Sequence, residues 1–253
     1  MMVLPTVLHV AIKVVLNSQM YLIYTAKMPF YEKYRINPDE DWPWESNPAN
    51  WASMLRDTFK LFLVNTGAML ALTIAYFHHY GGQCFWDLST EGLSNMHPFT
   101  VMIPQIYFCM LCEDAYYYLL HRIFHLKAFY KYHKLHHRYT INVSIAAEYT
   151  HPVDFMVVSL VSIAVGPLIL GKSLHFYTWL LYFTLRTVES IDSHCGYEFP
   201  WSPVKCLPLQ SPSSFHDYHH SSNVGNYSAW FCHWDIIFGT AKTYYKRFNN
   251  LKG

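Results

Sequence analysis

The sequence predicts an all-α membrane protein, in which transmembrane and re-entrant helices carry a cytosolic helical cap that holds a histidine-rich dimetal site. Of its 253 residues, 52% are hydrophobic and only 14% are charged, well below the roughly 25% charge of soluble domains. Long uncharged stretches alternate with groups of histidines at helical spacing. The net charge of +1 excludes the basic field that nucleic-acid binding requires.

The chain contains no linker-like boundary, so residues 1–253 are expected to form one domain. Residues 1–112 would be mainly membrane anchor helices, and residues 113–245 would form the histidine-rich catalytic region. The N-terminal stretch lacks a basic n-region and a cleavage site, which favours a retained membrane helix over a removed signal peptide.

Two further uncharged stretches are long enough to cross a bilayer, which takes about 20 apolar residues. The first runs from Leu61 to Trp86, and the second runs from Leu93 to Cys112. Pro98 and Pro104 are expected to delay or kink the second helix.

A third apolar region, Phe155 to Leu185, contains the helix breakers Gly166, Pro167 and Gly171. Because each half is short for a full span, the region is expected to enter the bilayer and return as a hairpin.

The segment 121–138 predicts the orientation. It carries five basic residues and no acid: Arg122, Lys127, Lys131, Lys134 and Arg138. Positive segments close to membrane helices stay on the cytoplasmic side, so the neighbouring histidines should face the cytosol. The same side chains could also contact anionic lipid head groups.

Eight histidines fall into three groups whose spacings of three and four place them on single helix faces. They are His121 and His125; His133, His136 and His137; and His216, His219 and His220. Neutral imidazole is the commonest metal-binding side chain, and eight imidazoles exceed the need of one metal. Two metals would use eight to ten, and His151 and His194 could supply the remainder.

Two acids are candidates for supporting these ligands. Asp114 precedes His121 by seven residues and His125 by eleven, so the three share one helical stripe, and metal-bound imidazoles usually donate their other N–H to such a carboxylate. An ion pair with a nearby Lys or Arg is the alternative. Glu198 follows His194 by four residues, but the turn formers Gly196 and Pro200 favour a supporting or structural role over metal binding.

Rival chemistries lack their motifs. Soluble di-iron carboxylate bundles need two Glu-x-x-His pairs, and the chain has one, Glu148 to His151. No zinc-protease signature, dinucleotide fingerprint or P-loop is present. Reducing equivalents are therefore expected from a separate protein.

The ordered sequences "HRIFH", "HKLHH" and "HDYHH" resemble the three histidine boxes of the membrane fatty acid hydroxylase superfamily. The flanking sequences "FYEKYRI", "EYTHPVD", "LRTVESIDSHCGYEFPW" and "NVGNYSAWFCHWDIIFGT" resemble its methylsterol monooxygenases most. The resemblance runs from about Phe30 to about Tyr245, and it includes His194 and His151.

This resemblance implies two Fe ions held by the box histidines, the use of O2, and electrons from NAD(P)H through a reductase and cytochrome b5. It implies oxidation of the C-4 methyl group of sterol precursors in the endoplasmic reticulum membrane. A sister enzyme, such as a sterol C-5 desaturase or a fatty-acid or other lipid hydroxylase, is an alternative. A non-enzymatic membrane metal-binding protein is another.

Overall fold

The computed structural model describes residues 3–79, 96–208 and 210–250. Across these ranges the secondary structure is helical, with no β-strand and only two isolated bridges, Arg35–Tyr197 and Gln210–Phe231. The α-helices are α1 (Leu4–Ala26), α2 (Pro29–Glu32), α3 (Pro43–Ser46), α4 (Pro48–His79), α5 (Phe99–Phe124), α6 (Tyr130–His133), α7 (Pro152–Asp154), α8 (Val161–Leu170), α9 (Phe176–Asp192), α10 (Ser213–Ser222), α11 (His233–Ile237) and α12 (Lys242–Asn250).

Three helical segments are long and apolar enough to cross a membrane: Leu4–Ala26, Pro48–Ala75 and Pro152–Ser173. Much of their apolar surface is open to the surroundings, with Leu63 on α4 and Val15 on α1 both more than half exposed. The expected all-α membrane fold, including a helix at the N-terminus, is confirmed.

The two uncharged stretches that were expected to cross the bilayer have different boundaries in the structure. Helix α4 begins at Pro48, well before Leu61, and the end of the predicted Leu61–Trp86 stretch lies outside the described residues. In the predicted Leu93–Cys112 stretch, helix α5 begins only at Phe99, after Pro98, and α5 is not among the three candidate spans. Its apolar run is too short, because Glu113 and Asp114 follow directly in the same helix.

The region after His151 forms the expected hairpin, and of the three predicted helix breakers it is Gly171 that ends the helix. Helix α7, a π-helical turn (Phe155–Leu160) and α8 run on through Gly166 and Pro167, and the chain turns at Gly171, whose φ is +54°. Gly166 serves helix packing instead, because a Cβ there would lie 2.6 Å from Cα of Cys109 on α5. The first half is therefore long enough to span, contrary to prediction.

Contacts along α5 show that the two halves of the hairpin run in opposite directions. Near the start of α5, Gln105 donates to the carbonyl of Ser173, which follows α8. Further along α5, Cys109 packs against Gly166, which lies earlier in the chain than Ser173. Helix α8 is therefore antiparallel to α5. On α9, Tyr182 hydrogen-bonds Glu113, later in α5, so α9 is parallel to it.

The polar cap is joined to the end of α1 by a buried aromatic core. The Tyr24 hydroxyl donates to the Cys195 carbonyl at 2.8 Å and accepts the Ser144 N–H at 2.9 Å. Trp42 and Tyr197 pack against the Tyr24 ring. This core holds the segment that follows His194, and the segment that contains Ser144, against the end of α1.

Candidate metal centre

Nine of the ten predicted histidines converge in two groups. The first contains His121, His125, His133, His137 and His219, and the second contains His136, His194, His216 and His220. Within each group the ligand nitrogens lie within 4.8 Å of one another. Among the described residues, neither group includes a carboxylate or a cysteine.

Local helical geometry divides neighbouring histidines between the groups. His136 and His137 occupy a 3-10 turn, and His219 and His220 lie on α10. Successive residues point about 100° apart on an α-helix and about 120° apart on a 3-10 helix, and each adjacent pair sends one ring to each group. His121 and His125 lie four apart near the end of α5 and both join the first group.

The ring atoms that meet are the Nε2 nitrogens. In the first group, His133 Nε2 lies 2.9 Å from His121 Nε2 and 3.0 Å from His137 Nε2. In the second group, His216 Nε2 lies 3.0 Å from His194 Nε2 and 3.1 Å from His220 Nε2. Imidazole nitrogens at about 2.1 Å from one metal ion, in neighbouring coordination positions, lie about 3.0 Å apart.

The opposite ring nitrogens donate outward. The Nδ1 atoms of five histidines face protein oxygens: His121 faces the Tyr227 carbonyl (2.8 Å), His133 faces Asp154 Oδ2 (2.7 Å), His194 faces the Ser190 carbonyl (2.7 Å), His219 faces the Gly225 carbonyl (2.5 Å), and His220 faces the Tyr139 carbonyl (3.1 Å). A ring that donates from Nδ1 presents its Nε2 lone pair to the centre of the group.

Burial keeps these rings neutral. Burial, together with the neighbouring His133, lowers the pKa of His125 to about 3 and that of His136 to about 4. Burial likewise lowers the pKa values of His216 and His220 well below 6.5. Converging, uncharged lone pairs repel one another unless a cation lies between them, so the donor set fits two metal ions of the kind that imidazole prefers.

Asp154 is the carboxylate that contacts a histidine of the groups, and the sequence reasoning missed it. It lies 21 residues after His133 in the chain, and both side chains are almost fully buried. The available signal was an acid placed directly before the apolar run that forms α8.

Asp114 does not contact His121 or His125, contrary to expectation. Its Oδ1 accepts the backbone N–H groups of Ala229, Trp230 and Phe231. These donors outcompete the ring nitrogens because they present three N–H groups to one buried oxygen. Asp114 therefore orients residues 229–231. These residues follow closely after Tyr227, and the carbonyl of Tyr227 faces His121.

His151 and Glu198 lie outside both groups. The His151 Nδ1 accepts the Val153 N–H at 3.1 Å and caps α7. Glu198 pairs with Lys205 and accepts the Ser214 N–H at 2.8 Å, in the first turn of α10. It thus stabilises the start of the helix that carries three of the nine histidines.

Two adjoining cavities connect this centre with the membrane helices. The first is lined by His133, His136, His194 and His216, together with Arg186 and Glu189. The second reaches His9 and Lys13 on α1 and Asn65 on α4. The cavities share the wall residues Ala147, Thr150, Ser159, Arg186 and Ser190.

The model of the fatty acid hydroxylase family matches residues 106–240. The chain is 30% identical over 227 residues to methylsterol monooxygenase 1 of Danio rerio, covering 89% of this chain and 73% of that protein. It is 39% identical over 165 residues to the C-4 methylsterol oxidase erg25 of Schizosaccharomyces pombe (62% and 55%).

It is also 32% identical over 224 residues to the very-long-chain aldehyde decarbonylase GL1-8 of Oryza sativa subsp. indica, covering 87% of this chain and 78% of that protein. No solved structure matches the chain. The family model covers more than half of the chain, including eight of the nine converging histidines in its boxes as well as His194. The chain belongs to the fatty acid hydroxylase family, and it is an oxidoreductase.

Proposed function

We propose that this protein is a membrane monooxygenase that oxidises the C-4 methyl group of sterol precursors. It would use two Fe ions and O2, with electrons from NAD(P)H delivered through cytochrome b5 and its reductase. The observation that carries the proposal is the convergence of nine Nε2 atoms in groups of five and four. The sterol substrate class is supported by relatives named for methylsterol oxidation.

The two groups divide the metal binding between them. The five histidines around His133 would hold one iron, and the four around His216 would hold the other. Bound iron would supply the activation of dioxygen that an unactivated C–H bond requires. The chain's own contribution is a nitrogen-only donor set, fixed from behind by Asp154 and by backbone carbonyls. Its burial limits the access of bulk water.

The overall reaction balances as a monooxygenation. One methyl group, one O2, two electrons and two protons give a hydroxymethyl group and one water. Two further oxidations of the same carbon would give the aldehyde and then the acid. The second cavity opens among the membrane helices, so a lipid substrate would reach the histidines from the bilayer side.

The proposed location is the endoplasmic reticulum membrane, with the histidine groups facing the cytosol. Arg122, Lys127, Lys131, Lys134 and Arg138 are all exposed on the cap, and positive segments beside membrane helices remain cytoplasmic. This orientation would make the centre accessible to a cytosolic electron donor.

A second candidate reaction follows from the relative named as an aldehyde decarbonylase, which is 32% identical over most of the chain. A long-chain aldehyde would then replace the methylsterol.

The test is sterol profiling of a host that lacks its own C-4 oxidase. Expression of this chain should deplete the accumulated 4-methylsterols, whereas His219→Ala should not, although it reaches the membrane equally. Unchanged 4-methylsterols, with dioxygen consumed only when a long-chain aldehyde is supplied, would favour the second reaction. No reductant-dependent dioxygen consumption with any lipid would contradict both reactions.

A further inference from the structure

The second cavity has several buried polar side chains in its wall although membrane helices surround it. All three candidate spans contribute to its wall, through His9 and Lys13 on α1, Asn65 on α4 and Ser159 in the segment before α8. His9, Lys13 and Asn65 are each less than a tenth exposed. Polar side chains are costly inside a membrane and mark binding sites or pathways.

His9 presents a hydrogen-bond acceptor to this cavity. Its Nδ1 lies 3.1 Å from the hydroxyl of Thr187, which itself donates to the Phe183 carbonyl at 2.9 Å. Since the threonine hydrogen is already used, His9 Nδ1 is the donor of the pair. In the neutral ring, Nε2 then carries a lone pair.

Lys13 and Asn65 complete a set of donors and acceptors. Lys13 lies one helical turn after His9 and forms an ion pair with Glu148, which engages one of its three N–H donors. Asn65 donates from Nδ2 to the Thr150 carbonyl at 2.9 Å. Its Oδ1 is buried and has no hydrogen-bond partner in the described part of the chain, a condition that is unfavourable unless a ligand supplies the donor.

The charges around the cavity disfavour an anionic occupant. Lys13 pairs with Glu148, and Arg186 contacts both Glu113 and Glu189. Two cations therefore face three carboxyl groups, and no cation remains uncompensated among them. A neutral group that both donates and accepts a hydrogen bond, such as a hydroxyl, suits this lining better than a carboxylate.

The cavity lies one wall away from the metal centre. Thr150 and Ser190 border both cavities, and the Ser190 carbonyl accepts the N–H of His194 at 2.7 Å. A hydroxyl held near Asn65 would therefore leave the adjoining carbon skeleton close to the four-histidine group.

We infer that His9, Lys13 and Asn65 form a subsite that binds the hydroxyl group of a neutral lipid. The lipid hydroxyl accepts a hydrogen bond from Lys13 and donates one to Asn65 Oδ1 or His9 Nε2. This inference rests on the proposed function for its choice of a sterol as the lipid. It makes the three residues positioning and specificity-determining residues, and not metal ligands.

The experiment measures equilibrium binding to the iron-loaded, full-length chain in lipid nanodiscs, without turnover. The probes are a 4,4-dimethylsterol and its 3-deoxy analogue, in which hydrogen replaces the hydroxyl. We expect the wild-type protein to bind the hydroxysterol about tenfold or more tightly than the analogue, as the gain of one buried hydrogen bond predicts. In Asn65→Leu and Lys13→Met this ratio should fall toward one, with iron content unchanged.

Matched controls lie on the same helices and face outward. Val64→Leu and Val15→Met alter side chains that are more than half exposed, and both should keep the wild-type ratio. Equal weakening of both probes in Asn65→Leu would indicate a merely structural role and overturn the inference. A wild-type ratio near one would also overturn it.

Failure of the proposed function would give a different result. A chain that prefers the hydroxysterol but leaves its C-4 methyl groups intact would retain the subsite and reject the reaction. If neither sterol binds, a long-chain alcohol and the corresponding alkane replace them. Preference for the alcohol would then uphold the hydroxyl subsite and reject the sterol, and its absence would reject the subsite.

Discussion

The imidazole of His133 and the carboxylate of Asp154 form a buried pair, with Nδ1 2.7 Å from Oδ2. The carboxylate fixes the tautomer that presents His133 Nε2 to the nitrogens of His121 and His137. Outer carboxylates of this kind orient metal-bound histidines and raise their basicity.

Replacing Asp154 should weaken metal binding at the five-histidine group. Asp154→Asn keeps the shape of the side chain but removes its charge, so the metal affinity of that group should fall about 10–100-fold. Metal content after dialysis against a graded chelator measures the effect. The exposed Asp39→Asn is the control, and equal retention by both variants would contradict a role for the pair.

Adjacent histidines should affect different metals. His136→Ala removes a nitrogen from the four-histidine group and His137→Ala removes one from the five-histidine group, so each should lose about one metal per chain and abolish oxidation. His151→Ala should retain both metals, because His151 caps α7 outside the groups. Metal analysis of the purified variants decides the matter, and loss of metal from His151→Ala would return it to the ligand set.

Glu198→Gln should keep both metals while lowering stability and turnover. The carboxylate accepts N–H groups at the start of α10 and pairs with Lys205, and loss of such an interaction at a helix start costs about 1 kcal/mol. The unfolding temperature should fall with metal content unchanged. A loss of about one metal per chain would instead identify Glu198 as a ligand.

The metal-free protein should lose stability as the solution is acidified. Burial lowers the pKa values of eight of the nine converging histidines below 6.5, with that of His136 at about 4. Between these pH values the unfolded chain therefore binds more protons than the folded chain. The free energy of unfolding then falls as the pH is lowered, by up to about 1.4 kcal/mol per histidine and pH unit.

Buried acids oppose this trend without reversing it. Burial raises the pKa of Glu189 to about 7 and that of Asp217 to about 6, but the histidines with lowered pKa values outnumber such acids. Thermal unfolding of metal-free protein in detergent should show a falling midpoint from pH 6.5 toward about pH 4. A constant or rising midpoint would contradict the buried, neutral state of the rings.

Cysteine labelling should place the cap on the cytosolic side. Ala128 and Lys172 are exposed near opposite ends of α5, whose 26 residues extend about 39 Å. In a Cys84→Ser, Cys206→Ser background, Ala128→Cys should react with an impermeant maleimide in intact microsomes. Lys172→Cys should react only after permeabilisation, and the reverse pattern would invert the orientation.

The sequence contains two glycosylation patterns, "NVS" at Asn142 and "NYS" at Asn226, but they do not test the orientation. Both asparagines are completely buried, so the absence of a glycan there would say nothing about the side of the membrane.

The membrane fold and the convergence of the histidines could be predicted from local patterns. Spacings of three and four determine which rings share a helix face, and apolar length indicates which helices meet lipid. The division of the nine histidines into groups of five and four could not be predicted. It depends on how α10 is rotated relative to the segment that contains His136 and His137. No spacing within one helix contains that information.

Contacts between residues far apart in the chain could not be predicted from local sequence patterns either. Asp114 was assigned to its own helical stripe, but its hydrogen-bond donors lie 115 to 117 residues later in the chain. Pro167 suggested a break, yet α8 continues through it and close packing at Gly166 holds it against α5. In each case tertiary contacts decided between alternatives that the sequence left open.

His136 and His137 belong to different groups, and so do His219 and His220. The peptide backbone that joins each pair would therefore fix the distance between the two metal positions. Neither group contains a carboxylate among the described residues, so no side-chain bridge could slide or change its binding mode to alter the spacing. The separation between the two groups would be fixed independently at two places, by the covalent distance between the neighbouring residues of each pair. An inserted residue within either pair would therefore be more damaging than replacement of one ring, because it would change the separation that both segments enforce.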